Sequence, residues 1–317
     1  MRALIVTNMY PSAEHPALGS FVRDQVQALQ RIPGVDVELF AFAPGAGSPA
    51  AYLRAALELR RRYRGRRFDV VHAHYGLTAW PALAANAGLH AVTLHGTDLA
   101  HPRSRAITLA ALRRCDLVAA VSAPLAGRLP RWAIRRPAAV LPCGVDIERF
   151  RPIARADARA ALGLDADRPY LLFPADPRRA EKRFDRAQAV AGDTRLLTLV
   201  DVEPREVPLW VNSANAVLVP SEREGFGLGV LEALACDVPV LATPAGIAPE
   251  VLGGLDGALC GPFELGAWRG ALAPHLAAGD PRVAGRARAE PYSADRMAQR
   301  VLAAWRALEQ PGIHAGA

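Results

Sequence analysis

No apolar run in this 317-residue chain reaches the ~18 residues that a membrane-crossing helix needs. The opening segment, Met1 to Thr7, is too short for a secretory h-region and reads as a first buried strand, which predicts a cytoplasmic protein. Cysteine is scarce: Cys115, Cys143, Cys236 and Cys260 stand far apart with no C-x-x-C spacing. That argues against a zinc site or a disulfide framework and predicts buried free thiols. Aromatic residues make up only 6% and few interleave with the basic runs. With no nucleic-acid module signature either, nucleic acid is the weakest partner class. The first strand also lacks G-x-G-x-x-G, so the plain dinucleotide fingerprint is missing. Internal repeats and low-complexity segments are absent.

What is present is apolar and basic. Hydrophobic residues reach 51%, enough for sizeable cores, and the length fits two domains of roughly 150 residues each. The net charge is +7, nearly all of it from arginine. Residues 54–67 carry Arg54, Arg60, Arg61, Arg62, Arg64, Arg66 and Arg67; residues 128–136 carry four arginines around Leu129, Trp132 and Ile134. Such a balance implies nucleic acid, an anionic membrane surface or anionic small substrates, unless it is simply a solvated face.

Strand and helix signals alternate, which predicts parallel α/β sheets. In the first half, strands are expected at 3–7, 35–42, 69–73, 91–94, 117–120 and 138–141, with helices at 20–31 and 50–63 and loops at 8–19 and 44–49. After a linker at 145–152 and a helix to Leu162, a second series has strands at 170–175, 196–200, 216–219, 238–242 and 257–260. Residues 292–308 are amphipathic at helical spacing, with Met297, Val301, Ala304, Trp305 and Leu308 on one face.

The segment from Glu224 to Glu232 brackets a glycine-rich turn with two carboxylates. It follows the strand at 216–219 and opens a helix predicted from Gly229 to Cys236. Such a turn offers free backbone N–H groups and a positive dipole end to a phosphate. One acid on either side of a diphosphate suits a nucleotide-sugar, although glycine-rich strand-to-helix turns are common in α/β proteins.

With Glu232-Ala-Leu-Ala-Cys-Asp-Val-Pro-Val-Leu-Ala-Thr243, this turn is similar to the E-x7-E signature of the retaining glycosyltransferases of family 4. Other landmarks agree in order: Tyr10-Pro11 through Gly19-Ser-Phe, Val71-His-Ala-His74, His95-Gly-Thr-Asp98, Ser122, and Pro142-Cys-Gly-Val-Asp146 with Phe150. The resemblance spans nearly the whole chain. It implies a GT-B architecture: two Rossmann-like domains facing across a cleft, residues 1–150 binding acceptor and 151–292 binding nucleotide-sugar. Residues 293–317 would form a helix packing back on the first domain, and a tail.

The resemblance also implies roles. Glu224 would contact the transferred sugar and Glu232 the ribose hydroxyls, while Gly19 and the backbone of Phe226, Gly227 and Leu228 would meet the donor. Lys182 would neutralise the diphosphate together with Arg178 or Arg179, whose spacing from Lys182 is not the common one. His95 would contact the donor sugar near its anomeric centre. His72 and His74 share a strand face, with no third metal ligand in view. No metal or other cofactor is demanded beyond a UDP- or GDP-sugar substrate. The implied activity is retaining transfer of a hexosyl group to a hydroxyl of a lipid-linked, polysaccharide or small-molecule acceptor. The arginine-rich stretches at 54–67 and 128–136, both in the half expected to bind the acceptor, add the expectation of peripheral attachment to the inner face of the plasma membrane. The alternative is a non-catalytic or epimerase-type sugar-nucleotide-binding protein. Two departures stand out: Cys143 replaces the usual asparagine, and only 24 residues separate Lys182 from Val207, which shortens the nucleobase region.

Overall fold

The computed structural model describes residues 1–12, 15, 16, 18–43, 49–200 and 202–309. The loop expected at 44–49 lies outside them except for Pro49, as does the tail beyond residue 309. Pro49 itself opens a helix, where its fixed φ and missing N–H suit the first turn. The chain divides into two units, Met1–Gly144 with Ala294–Ala317, and Val145–Ser293. Residues 145–150, assigned to the first domain from sequence, therefore group with the second.

In the first unit, β1 (Arg2–Thr7), β2 (Asp36–Ala41), β3 (Phe68–His74), β4 (Ala87–Leu94), β5 (Leu117–Ala120) and β6 (Ala139–Val140) form one sheet in the order β2-β1-β3-β4-β5-β6. Every pairing is parallel. The central strands are buried on both faces, which is why they read as continuous apolar runs rather than alternating ones. The connecting helices are α1 (Ser20–Gln30), α2 (Pro49–Arg62), α3 (Ala79–Ala82), α4 (Pro102–Leu112) and α5 (Ala123–Ala126). Gly19 starts α1 with φ +66°, and a Cβ there would lie 2.2 Å from the carbonyl oxygen of Met9. Only glycine fits that turn.

The second unit repeats the plan. Its sheet holds β7 (Tyr170–Phe173), β8 (Arg195–Thr198), β9 (Ala216–Val219), β10 (Val240–Ala242) and β11 (Leu259–Cys260), ordered β11-β10-β9-β7-β8 and again all parallel. Its helices are α6 (Arg155–Ala161), α7 (Phe184–Ala191), α8 (Val207–Ser213), α9 (Leu228–Ala235), α10 (Ala248–Leu252), α11 (Leu265–Ala277) and α12 (Arg286–Ala289). Buried Arg155 and Arg159 tie α6 down: Arg155 donates to the carbonyls of Ala214, Gly279 and Pro281, and Arg159 to Ser213 O and Asn215 Oδ1. These bonds satisfy guanidinium protons that would otherwise be costly to bury.

The last helix, α13 (Ala294–Glu309), returns to the first unit. Met297, Val301 and Trp305 enter that core, with Ala304 and Leu308 partly buried against it. The face expected from the helical spacing is the one that packs. Cys115, Cys143 and Cys236 are buried free thiols, but Cys260 is only half-buried because β11 is a two-residue edge strand. No helix among the described residues is long and apolar enough to cross a membrane.

Candidate functional site

In the second unit the structure brings Lys182 and Glu224 together. Lys182 ends a 3₁₀ turn, Ala180–Lys182, before α7; Glu224 lies in the loop between β9 and α9. Lys182 Nζ donates to Glu224 Oε2 at 2.6 Å, and Ser221 Oγ donates to Glu224 Oε1 at 2.7 Å. The two charged side chains are only 13% and 7% exposed, so little water screens them. Lys182 is also the sole lysine of the chain; the rest of its 38 Lys and Arg residues are arginine.

The loop is braced from behind by residues that sequence reasoning missed. Thr243 Oγ1 donates to Ser221 O at 2.5 Å, and Ile247 N donates to Phe226 O at 2.7 Å. Gly246, at φ +62°, sits so close that a Cβ would lie 2.3 Å from Phe226 O and 2.8 Å from Glu224 Cβ. A serine, a threonine and a glycine carry no motif of their own, but Ser221 and Thr243 do stand at the carboxyl ends of β9 and β10, where α/β sites form.

Gly227 adopts φ +99° and precedes α9, whose N-terminus has no side-chain cap. Its first amides therefore lack the usual capping partner and offer an anion-binding end. Leu228 begins the helix one residue earlier than expected, and Glu232 lies half-buried within it. Phe226 is buried, its ring 6.3 Å from that of Tyr292. Arg178 and Arg179 pair with their own loop: Arg178 with Asp176 at 2.7 Å and Arg179 with Glu181 at 2.7 Å. Both guanidinium groups are exposed, and the geometry ranks neither first.

A second cluster forms in the first unit at the carboxyl ends of β3 and β4. His95 follows β4, and its Nε2 lies 3.1 Å from Nδ1 of His74 at the end of β3. Gln25 of α1 reaches His74 Nε2 at 3.1 Å. The Phe21 ring stands 4.7 Å from that of His95, beside Gly19 at the start of α1. Buried Asp98 accepts from the backbone amides of His95 at 2.6 Å and Gly96 at 2.9 Å, and from Gly76, fixing the turn that carries His95. Burial lowers the pKa of His74 to about 4. Burial, then neighbouring His74, also hold His95 well below the ordinary histidine value. Both rings are neutral near pH 7.

His72 is engaged elsewhere: Trp305 Nε1 donates to its Nδ1 at 3.0 Å, and its Nε2 meets Thr93 Oγ1 at 2.8 Å. Both nitrogens are thus occupied by protein. No group of three His, Cys, Asp or Glu residues that could hold a metal occurs among the described residues.

The arginine-rich stretches divide unevenly. On α2, Arg54, Arg60, Arg61 and Arg62 are exposed, with Leu53 and Leu57 beside them at 63% and 61% exposure. Arg66 is instead bonded to Glu38. In 128–136, Trp132 is 61% exposed, but Leu129 is buried and does not belong to the surface cluster.

Comparison with known proteins extends the pattern. The family model described as Glycosyltransferase Family 4 matches residues 18–149, and that described as Glycosyl transferases group 1 matches residues 171–277. A D-inositol 3-phosphate glycosyltransferase of Actinosynnema mirum is 29% identical over 86% of this chain and 82% of its own. In fold, the chain is similar to sucrose-phosphate synthase from Thermosynechococcus elongatus, with a TM-score of 0.75 at 21% identity over 97% of this chain and 98% of that one. Anabaena HepE in complex with UDP and glucose gives a TM-score of 0.70 at 14% identity, covering 97% of this chain and 100% of that one.

Proposed function

The chain belongs to glycosyltransferase family 4 and has the GT-B fold, and from that premise we propose that it is a retaining hexosyltransferase. Its donor in this reading is a UDP- or GDP-sugar. Its acceptor is a hydroxyl of a lipid-linked, polysaccharide or small-molecule substrate. The observation that carries the assignment is the Lys182–Glu224 pair, held at 2.6 Å beside the uncapped start of α9.

The chemistry is charge management. As the bond between C1 and the β-phosphate oxygen breaks, its electron pair goes to the diphosphate and the sugar becomes oxocarbenium-like. Lys182, one of Arg178 and Arg179, and the α9 amides stabilise the departing charge. The acceptor oxygen bonds C1 on the face the diphosphate leaves, and its proton passes to a phosphate oxygen of the donor. Glu224, oriented by Lys182 and Ser221, takes the sugar hydroxyls; Glu232 takes the ribose. His95, neutral and anchored through Asp98, contacts the sugar without adding positive charge beside the anomeric centre.

The exposed Leu53 and Leu57 among Arg54, Arg60 and Arg61 support peripheral attachment to an anionic membrane, which a lipid-linked acceptor would require. The A. mirum relative is a D-inositol 3-phosphate glycosyltransferase, which makes a phosphorylated polyol the first acceptor to try. The experiment is incubation with UDP- and GDP-hexoses and an acceptor panel, with the anomeric configuration of the product read by NMR. Release of nucleoside diphosphate with an inverted product would overturn retention. No transfer from any donor, with nucleotide binding intact, would overturn the enzyme reading.

A further inference from the structure

We infer that Gln25 and His74 are positioning residues that fix His95 in a single tautomer, its Nε2 accepting and its Nδ1 proton offered to the substrate. The inference deepens the proposed role of His95 as a sugar contact and rests on it for its functional half.

The logic runs along one chain of hydrogen bonds. The side-chain nitrogen of Gln25 can only donate, so His74 Nε2, 3.1 Å away, must accept. A neutral imidazole carries one proton, which places the His74 proton on Nδ1. That Nδ1 faces His95 Nε2 at 3.1 Å and donates to it. His95 Nε2 is then an acceptor, and its own proton is on Nδ1. The charged form of each ring is disfavoured, by burial at His74 and, at half-buried His95, by desolvation together with neighbouring His74. His95 Nδ1 has no hydrogen-bond partner among the described residues. Among the described residues the relay thus ends in a donor with no protein acceptor.

Three further contacts hold this geometry. Gln25 projects from the buried face of α1. The turn after β4 is pinned by Asp98, which accepts the His95 amide at 2.6 Å. Phe21 packs 4.7 Å from the His95 ring and limits its rotation. His72, stacked on His74 with ring centres 5.1 Å apart, is bonded to Trp305 and Thr93 and does not enter the relay.

A neutral donor at this position can hold a sugar hydroxyl oxygen while adding no cation next to an oxocarbenium-like centre. The opposite tautomer would present a lone pair and serve a different chemistry. The difference hangs on the orientation of one glutamine amide.

The test joins a spectroscopic and a kinetic readout. Full-length protein with ¹⁵N-labelled histidine is observed at pH 7, His95 being assigned by loss of its signals in His95→Asn. The expected pattern is pyrrole-type Nδ1 and pyridine-type Nε2 at both His74 and His95. In Gln25→Glu the carboxylate accepts from His74 Nε2, which turns His74 Nδ1 into an acceptor and moves the His95 proton to Nε2. That variant is expected to reverse both patterns and lower kcat by roughly 10–100-fold, the loss seen when partners that orient metal-bound histidines are removed, with KM for the nucleotide-sugar little changed. Gln25→Leu, which avoids a buried carboxylate, is expected to leave His95 a mixture of tautomers with a smaller loss. A proton on His95 Nε2 in the native protein would overturn the inference, as would unchanged resonances in both variants. Normal turnover by His95→Asn would instead overturn the sugar-contact role, leaving the tautomer result standing.

Discussion

Lys182 Nζ stands 2.6 Å from Glu224 Oε2 although the two lie 42 positions apart in the chain. Each partner enters from a different strand's carboxyl end, after β7 and after β9, and neither is free to wander. In a chain whose Lys and Arg residues are otherwise all arginine, this one lysine presents a compact point charge rather than a planar fork. Lys182→Ala and Glu224→Gln are each expected to lower kcat by roughly 10²–10³, the size of a lost charge-stabilising contact. Lys182→Arg should recover only part of that, because the guanidinium cannot reproduce the single short contact to Glu224. Steady-state turnover with the preferred donor checks this, and near-normal rates in both Lys182→Ala and Glu224→Gln would remove the pair from the mechanism.

Nucleotide binding should register as stability. A ligand at 100 times its Kd adds about 2.7 kcal/mol to a protein that binds it only when folded. A thermal-shift screen against UDP, GDP and ADP is expected to raise Tm with one of them, and the rise should shrink in Lys182→Ala. No shift with any nucleotide at millimolar concentration would contradict a diphosphate site at α9.

The fold was legible because its signals are local. Buried parallel strands such as Ala3–Thr7 and Ala216–Val219 announce themselves as short apolar runs, and the α13 face through Met297, Val301 and Trp305 repeats at helical spacing. The glutamate pair and Lys182 were legible through resemblance and order. Gln25, Ser221, Thr243 and Gly246 were not. Each acts through contacts across distant parts of the chain, Gln25 meeting a histidine 49 positions away, and none belongs to a residue class that marks chemistry.

The α2 surface can be tested by separating its apolar and charged parts. One arginine near an anionic membrane contributes about 1 kcal/mol. Arg54→Glu with Arg60→Glu should therefore abolish pelleting with anionic vesicles at low salt. Leu53→Ser with Leu57→Ser should weaken it less but make the remainder more salt-sensitive, since only electrostatic attraction is left. Absence of pelleting by the unaltered protein at low salt would end the membrane proposal.

Trp305 anchors α13 by packing and by its bond to His72, so two substitutions should separate the contributions. Trp305→Ala removes a fully buried indole and is expected to cost about 3–5 kcal/mol. Trp305→Phe keeps most of the apolar volume but leaves His72 Nδ1 without its donor, a penalty of about 1–3 kcal/mol. Urea unfolding monitored by circular dichroism should rank wild type above Phe and Phe above Ala. Equal stability of all three would mean that α13 contributes little to the first unit.

The buried histidines set a direction for stability against pH. His72 and His74 are held neutral in the folded chain, chiefly by burial, His74 at about 4 and His72 well below its usual value. Unfolded, each titrates near 6.5, so below that pH the unfolded state binds more protons and stability must fall. Above about 6.5 neither ring contributes a slope; from there down to about 4 His74 alone removes on the order of 3 kcal/mol. Asp98 acts with the opposite sign, since burial raises its pKa: protonation then favours the fold from that raised value downward and offsets part of the histidine loss. Exposed carboxylates held low by arginine, such as Asp176 and Asp185, lose their partners lower still. The His74 share is therefore read as the difference between the unaltered protein and His74→Gln, since Asp98 titrates in both. The urea midpoint should be flat from pH 8 to 7, then drop steadily to pH 5, and His74→Gln should drop less steeply because its amide carries no titrating proton. Equal slopes for the unaltered protein and His74→Gln between pH 7 and 5 would mean that His74 is charged or solvated in the native protein, and the neutral relay behind His95 would fall with that result.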